Sequence, residues 1–183
     1  MGLDMYLAAE MYLSGYDHKS DEDKARYQSV LDACGLPSCK NSPSLDVKVT
    51  VAYWRKANAI HKWFVDHVQD GADECQTSSV EREQLAALVA ACKEVLNTVE
   101  TVPGTIKMGE TYYPDGRVEH HTKEGPVVAQ QAIASATLPT QGGFFFGGTD
   151  YDEYYINDLR LTIAQIEPLL TDKLFEYCEF YYR

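Results

Sequence analysis

Apolar and polar positions alternate at both ends of the chain. Leu3, Met5 and Leu7 alternate with Gly2, Asp4 and Tyr6, the two-residue period of a half-buried strand. At the other end Phe175, Tyr177, Phe180, Tyr181 and Tyr182 form an aromatic, strand-prone tail. The terminal strands, 3–7 and 177–182, are expected to meet in one small antiparallel sheet. Val47, Val49 and Val51 alternate with Lys48 and Thr50 and predict a further short strand.

Between these segments the period changes to that of helices. Tyr27, Val30, Leu31 and Cys34 make a short amphipathic patch closed by Gly35 and Pro37. Tyr53, Ala57, Ile60, Phe64 and Val68 share one arc at 100° per residue, predicting a main helix over 53–68 whose arc faces the core and which ends at Asp70-Gly71. Leu85, Leu88, Val89, Cys92 and Leu96 form the clearest helical stripe, with Ser78 and Glu81 at capping-box spacing ahead of it.

Pro114-Asp115-Gly116 lies between two strand-like arms, 106–113 and 117–122, and predicts a hairpin with a tight turn. Residues 127–137 carry too few large apolar side chains to assign. Phe144 to Phe146, bracketed by glycine pairs, followed by Thr149-Asp150 and the positions Leu159, Ile163 and Ile166, read as strand, glycine turn and helix, with Pro168 ending or kinking that helix near Ile166. The expected fold class is α+β: a small antiparallel sheet including the N- and C-terminal strands, packed by about three main helices, with a β-hairpin insertion.

The 183 residues suit a single globular domain, 1–183, with residues 98–131 as the insertion. Apolar residues make up 45% and charged residues 24%, which suits a folded core. No uncharged apolar run approaches the roughly 20 residues that span a bilayer. Asp4 and Glu10 interrupt any apolar leader, so the expected location is cytoplasmic, with no membrane partner. Cys34, Cys39, Cys75, Cys92 and Cys178 are odd in number and irregular in spacing, which fits reduced thiols. A net charge of −12 opposes general nucleic-acid binding and suits either solubility or a basic partner.

Candidate chemistry concentrates on the expected main helix. Beside its apolar arc, Trp54, Asn58, His61 and Val65 form a second, semi-polar arc, with Arg55 and Lys62 one step further round. A stacking ring, an amide, an imidazole and a guanidinium can line a pocket for a carboxylate or phosphate ligand. Asp4 and Tyr6 on the adjacent strand complete the expected ligand-binding set of Trp54, Arg55, Asn58, His61, Asp4 and Tyr6. The alternative for Trp54, Asn58 and His61 is structural, as a core ring and as a pair satisfying buried polar groups. Trp63 projects away from the core arc.

Other features carry less. The glycine-flanked aromatic run lacks the Lys-Ser/Thr pair of a phosphate loop, and Asp150, Asp152 and Glu153 place negative charge in the following turn. Asp66, Asp70, Asp73 and Glu74 read as a solvated acidic corner, and His120 and His121 should point to opposite faces of a strand. Nothing calls for a metal or a cofactor. No catalytic residue is assigned, His61 being the one plausible base.

Three blocks, MGLDMYL at 1–7, YWRKANAIHKWFV at 53–65 and LPTQGGFFFGGTDYDEYY at 138–155, resemble a widespread group of uncharacterised bacteriophage and prophage proteins, as does QDGADEC at 69–75. The three blocks cover about a fifth of the chain. The resemblance implies a phage-associated context, in which small accessory proteins counter host defence. Three functional readings follow. The first is a non-enzymatic accessory protein that binds and sequesters a small, nucleotide-like ligand in the host cell cytoplasm. The second is an acidic inhibitor of a host protein, and the third a small hydrolase with His61 as general base.

Overall fold

The computed structural model describes residues 3–143 and 145–183. Met1, Gly2 and Phe144, which fall in the expected first and aromatic strands, lie outside the described residues. In chain order the elements are β1 (Asp4–Ser14), α1 (Asp21–Cys34), β2 (Ser44–Arg55), α2 (Asn58–Val68), β3 (Ser78–Val80), α3 (Arg82–Thr98), β4 (Thr101–Tyr112), β5 (Val118–Val128), α4 (Gln131–Thr137), α5 (Glu153–Thr171) and β6 (Glu179–Tyr182). The fold is α+β.

The terminal strands meet as expected. β1 pairs antiparallel with β6, Leu7 opposite Tyr182, and on its other side with β2 from Asp4 opposite Arg55 to Ser14 opposite Ser44. The four-stranded order is β2-β1-β6-β3. Met5, Leu7, Ala52, Trp54, Phe180 and Tyr182 are buried from this sheet, and Ile60, Phe64, Leu85, Leu88, Cys92, Leu159 and Ile166 from the helices close over them. Leu13, Tyr27 and Leu31 form a smaller second cluster under α1, whose ends are set by Ser20 as N-cap and Gly35 at φ +64°.

The expected main helix is shorter than its periodicity suggests. Tyr53, Trp54 and Arg55 finish β2, and α2 begins at Asn58. Pairing with β1 decides this: Tyr6 faces Tyr53 and Met5 faces Trp54, so aromatic residues that fit a helical arc instead fill a pleat. Tyr53 is consequently 39% exposed rather than core, whereas Ala57, Ile60 and Phe64 are buried. Trp63, expected opposite the core arc and either packed under a second layer or exposed, is buried, edge-on to Phe64 and stacked on His67.

Further corrections concern helix ends. The capping box of α3 uses Glu81 and Gln84, because Ser78 is taken by β3 opposite Tyr182. Leu85, Leu88, Val89 and Cys92 of the α3 stripe are buried as expected, Val95 is buried with them, and Leu96 is only partly buried. Phe145 and Phe146 lie in a turn, not a strand, and α5 starts only after Asp152, whose carboxylate accepts from the N–H groups of Tyr154 and Tyr155. Pro168 does not end α5. The helix runs on to Thr171, and the Asp172 N–H bonds the Pro168 carbonyl. A proline this close to the C-terminus forfeits one backbone bond while the final turn still closes.

The hairpin of β4 and β5 is longer than expected at its base, Thr101 pairing with Val128. Its turn keeps Pro114-Asp115-Gly116, with Gly116 at φ +84° and the Tyr113 N–H bonded to Arg117 O. The hairpin leans on the start of α5. Lys123 pairs with Glu153 and lies 4.7 Å from the Tyr154 ring centroid, Lys107 reaches Asp150 at 3.1 Å, and Val127 bridges Asp152.

Candidate functional site

Where the hairpin crosses the helices it leaves a cleft of about 1000 Å³. One wall is the hairpin, with Lys107, Tyr112, His120 and His121. The floor is the β2–α2 turn, and the far wall is the 147–150 loop and the first turns of α5.

The β2–α2 turn is built around an unusual backbone. Lys56 sits at φ +60°, a left-handed conformation that costs an L-residue roughly 1–2 kcal/mol. Its N–H is tied to Leu3 O at 2.7 Å, and its carbonyl accepts from the Asn58 N–H at 2.9 Å. Gly147, at φ +83°, packs so closely that a Cβ there would lie 3.2 Å from the Lys56 Cβ. Asn58 locks the loop onto this turn: its Nδ2 donates to Phe146 O (3.1 Å) and Gly148 O (2.6 Å), and its Oδ1 accepts from the Gln141 N–H (3.2 Å).

The charges lining the cleft divide into paired and unpaired. Lys107 with Asp150 and His120 with Glu110 (2.8 Å) are matched. Arg55 and Lys56 line the cleft, and neither has a carboxylate within salt-bridge distance among the described residues. On α5, Asp158 also lines the cleft, with no hydrogen-bond partner for its carboxyl among the described residues. Burial, followed by the charge of Asp152, pushes its pKa up to about 7. Beneath it, the Trp54 Nε1–H donates to Thr162 Oγ1 (2.9 Å), which in turn donates to the Asp158 carbonyl (2.7 Å). The Tyr155 hydroxyl donates to Leu138 O at 3.0 Å, and burial raises its pKa.

The six residues expected to bind ligand are not brought together. Arg55 and Asn58 line the cleft, Asn58 with its amide already committed to the loop. Trp54 is fully buried on the opposite face of β2 and belongs to the core. His61 is 5% exposed and does not line the cleft; its Nδ1 is 2.7 Å from the Tyr182 hydroxyl and its Nε2 3.0 Å from Asp73 Oδ2. With both ring nitrogens occupied it has no lone pair for a substrate proton. Asp4 and Tyr6 lie on the sheet face opposite Met5. There the Tyr53 hydroxyl donates to Asp4 (2.5 Å), the Tyr6 and Tyr53 rings lie 5.1 Å apart, and Arg183 covers the Tyr6 ring at 5.3 Å.

The residues that sequence reasoning passed over are Lys56 and Asp158. For Asp158 a signal existed: it falls three residues after Tyr155 and four before Thr162, inside the buried stripe of α5, where an acid is out of place. Lys56 carried no signal, because only the bond to Leu3 O and the approach of Gly147 define its backbone. The acidic corner disperses, Asp66 pairing with Lys62 and Asp73 with His61. Among the described residues no group of three or more His, Cys, Asp and Glu is placed to hold a metal ion. All five cysteines are free thiols, with Cys92 buried and its pKa pushed up to about 12 by that burial. Among the described residues no helix is long and apolar enough to cross a membrane. Comparison with protein-family models, with curated proteins and with solved structures finds no match for this chain.

Proposed function

We propose that this chain binds and sequesters a small anionic, nucleotide-like ligand in the cleft between the hairpin and the β2–α2 turn. The observation that carries the reading is that the consecutive cations Arg55 and Lys56 both line the cleft and have no carboxylate within salt-bridge distance among the described residues. Lys107, in the same cleft, is matched by Asp150. Two left unpaired, one of them on a strained backbone, match an anion supplied from outside.

The volume suits such a ligand, being at the upper end of the roughly 300–1000 Å³ of small-molecule sites. Tyr112, Tyr154 and His121 also line the cleft and bring rings to it for a planar group. The overall negative field acts against this ligand only weakly at contact range, because salt screens exposed charges beyond about 8 Å under physiological conditions. Sequestration rather than turnover is favoured by the placement of His61 outside the cleft, and the phage context that the three sequence blocks imply gives such binding a use, removing a signal molecule of host defence.

Titration calorimetry with mono-, di- and cyclic nucleotides tests the reading. At least one is expected to bind with micromolar or tighter affinity, and Arg55→Ala is expected to weaken it about tenfold or more, the loss of one charge-assisted contact. Absence of heat across the panel, or equal affinity after the substitution, contradicts it.

A further inference from the structure

We propose that Asp158 reads the non-phosphate end of the ligand, pairing with two adjacent N–H donors of the kind a guanine base presents. The inference rests on the preceding reading of the cleft and deepens it. Three acidic residues on the α5 side of the cleft already have work. Asp150 pairs with Lys107, Glu153 pairs with Lys123, and Asp152 caps α5. Asp158 alone among them has a carboxyl with no partner among the described residues, although it is partly buried and lines the cleft.

A half-buried carboxyl without donors is a standing cost, since burial disfavours its charged form and no hydrogen bond offsets that. The scaffold nevertheless positions the residue. Its backbone is fixed within α5, where its carbonyl also accepts from Thr162 Oγ1, which the buried Trp54 N–H holds in turn. A carboxylate offers two oxygens side by side and accepts two parallel N–H bonds, the bidentate geometry that gives such pairs strength and specificity. The ring N–H and exocyclic amine of guanine supply those donors. Adenine offers one acceptor and one amine on the same edge, and hypoxanthine lacks the amine. The cleft then holds the two ends of one molecule by opposite charges, phosphate at Arg55 and Lys56 and base edge at Asp158.

Calorimetry at pH 8 on the full chain, freed of bound small molecules, tests this with GMP, IMP, AMP and inorganic phosphate against wild type and Asp158→Asn. The expected result is GMP binding at least tenfold tighter than IMP or AMP. Asp158→Asn should shrink that preference to under threefold and leave phosphate affinity equal or tighter, which also shows that the variant is folded. Equal binding of GMP, IMP and AMP by wild type, with Arg55 still required, overturns the role of Asp158 and leaves the cleft reading intact. Preference for GMP that survives Asp158→Asn also overturns it. No binding of any nucleotide or of phosphate overturns both.

Discussion

His61 joins helix α2 to the last strand of the sheet: its Nδ1 lies 2.7 Å from the Tyr182 hydroxyl. A carboxylate can only accept, so Asp73, 3.0 Å from Nε2, assigns the ring proton to Nε2 and leaves Nδ1 to accept from Tyr182. Burial raises the pKa of the Tyr182 hydroxyl, which keeps it a donor at every ordinary pH. The Tyr182 ring also stacks on Phe64 at 3.9 Å. This network fastens the C-terminal strand to the core, and its role is stability.

Tyr182→Phe keeps the ring stack and removes the hydroxyl, leaving the buried Nδ1 unsatisfied. The expected loss is about 1–3 kcal/mol. Thermal unfolding should fall by roughly 2–4 °C per kcal/mol for a chain of this length. Nucleotide affinity, measured on the folded variant, should stay within about twofold of wild type. A binding loss of tenfold or more would place His61 back in the ligand site.

Asp158 predicts an unusual pH dependence. The folded carboxyl holds its proton to about pH 7, while the unfolded chain releases it near 3.8. The folded state therefore carries the extra proton between those values. The sign follows: this group's contribution to stability falls as pH rises through that window, and the full penalty stands above pH 7. The penalty is at most about 4 kcal/mol. Asp158→Asn removes it, so the variant should melt several degrees above wild type at pH 8 and match it at pH 4. A variant that is less stable at pH 8 would show that the carboxylate has a protein partner.

Lys56 separates site from scaffold. Lys56→Gly relieves the left-handed strain of roughly 1–2 kcal/mol, offset in part by the extra freedom of glycine in the unfolded chain. Unfolding midpoints should stay within a few degrees of wild type or rise. Nucleotide affinity should fall about tenfold with the charge. Strong destabilisation would mean that the lysine stem, not its charge, is what the turn requires.

Gly147 should tolerate no side chain. Gly147→Ala meets the Lys56 Cβ at 3.2 Å and places alanine at φ +83°. The expected cost is about 1–2 kcal/mol in stability, with weaker ligand binding because the loop and the Lys56 turn are packed together. Urea unfolding with an unchanged midpoint would contradict this.

Much of the fold was legible because its signals are local. The alternation at Leu3, Met5 and Leu7, the stripe on α3 and the Pro114-Asp115-Gly116 turn each report structure that neighbours in sequence create. The helix boundary at residue 53 was not legible, because Tyr53 and Trp54 satisfy a helical arc and a pleat equally well. The choice is made by β1, nearly fifty residues away, and by Thr162, which receives the Trp54 N–H. The site was legible only at Arg55 and Asn58. Placing Trp54 on a helix put it beside His61, whereas the strand turns it into the core. The cleft itself arises from the hairpin crossing the start of α5, a relationship that no local pattern encodes.

An anionic ligand is expected to lie on Arg55 and Lys56 inside the cleft. Amide chemical-shift mapping of the ¹⁵N-labelled protein during titration with GMP tests it most directly. Perturbations should cluster at Arg55 to Ala59, at Lys107 to Tyr112 and at Gly147 to Asp158, and should vanish in the Arg55→Ala, Lys56→Gly double variant. Shifts confined to the Asp4, Tyr6 and Tyr53 face of the sheet, or no shifts at millimolar nucleotide, would contradict the account.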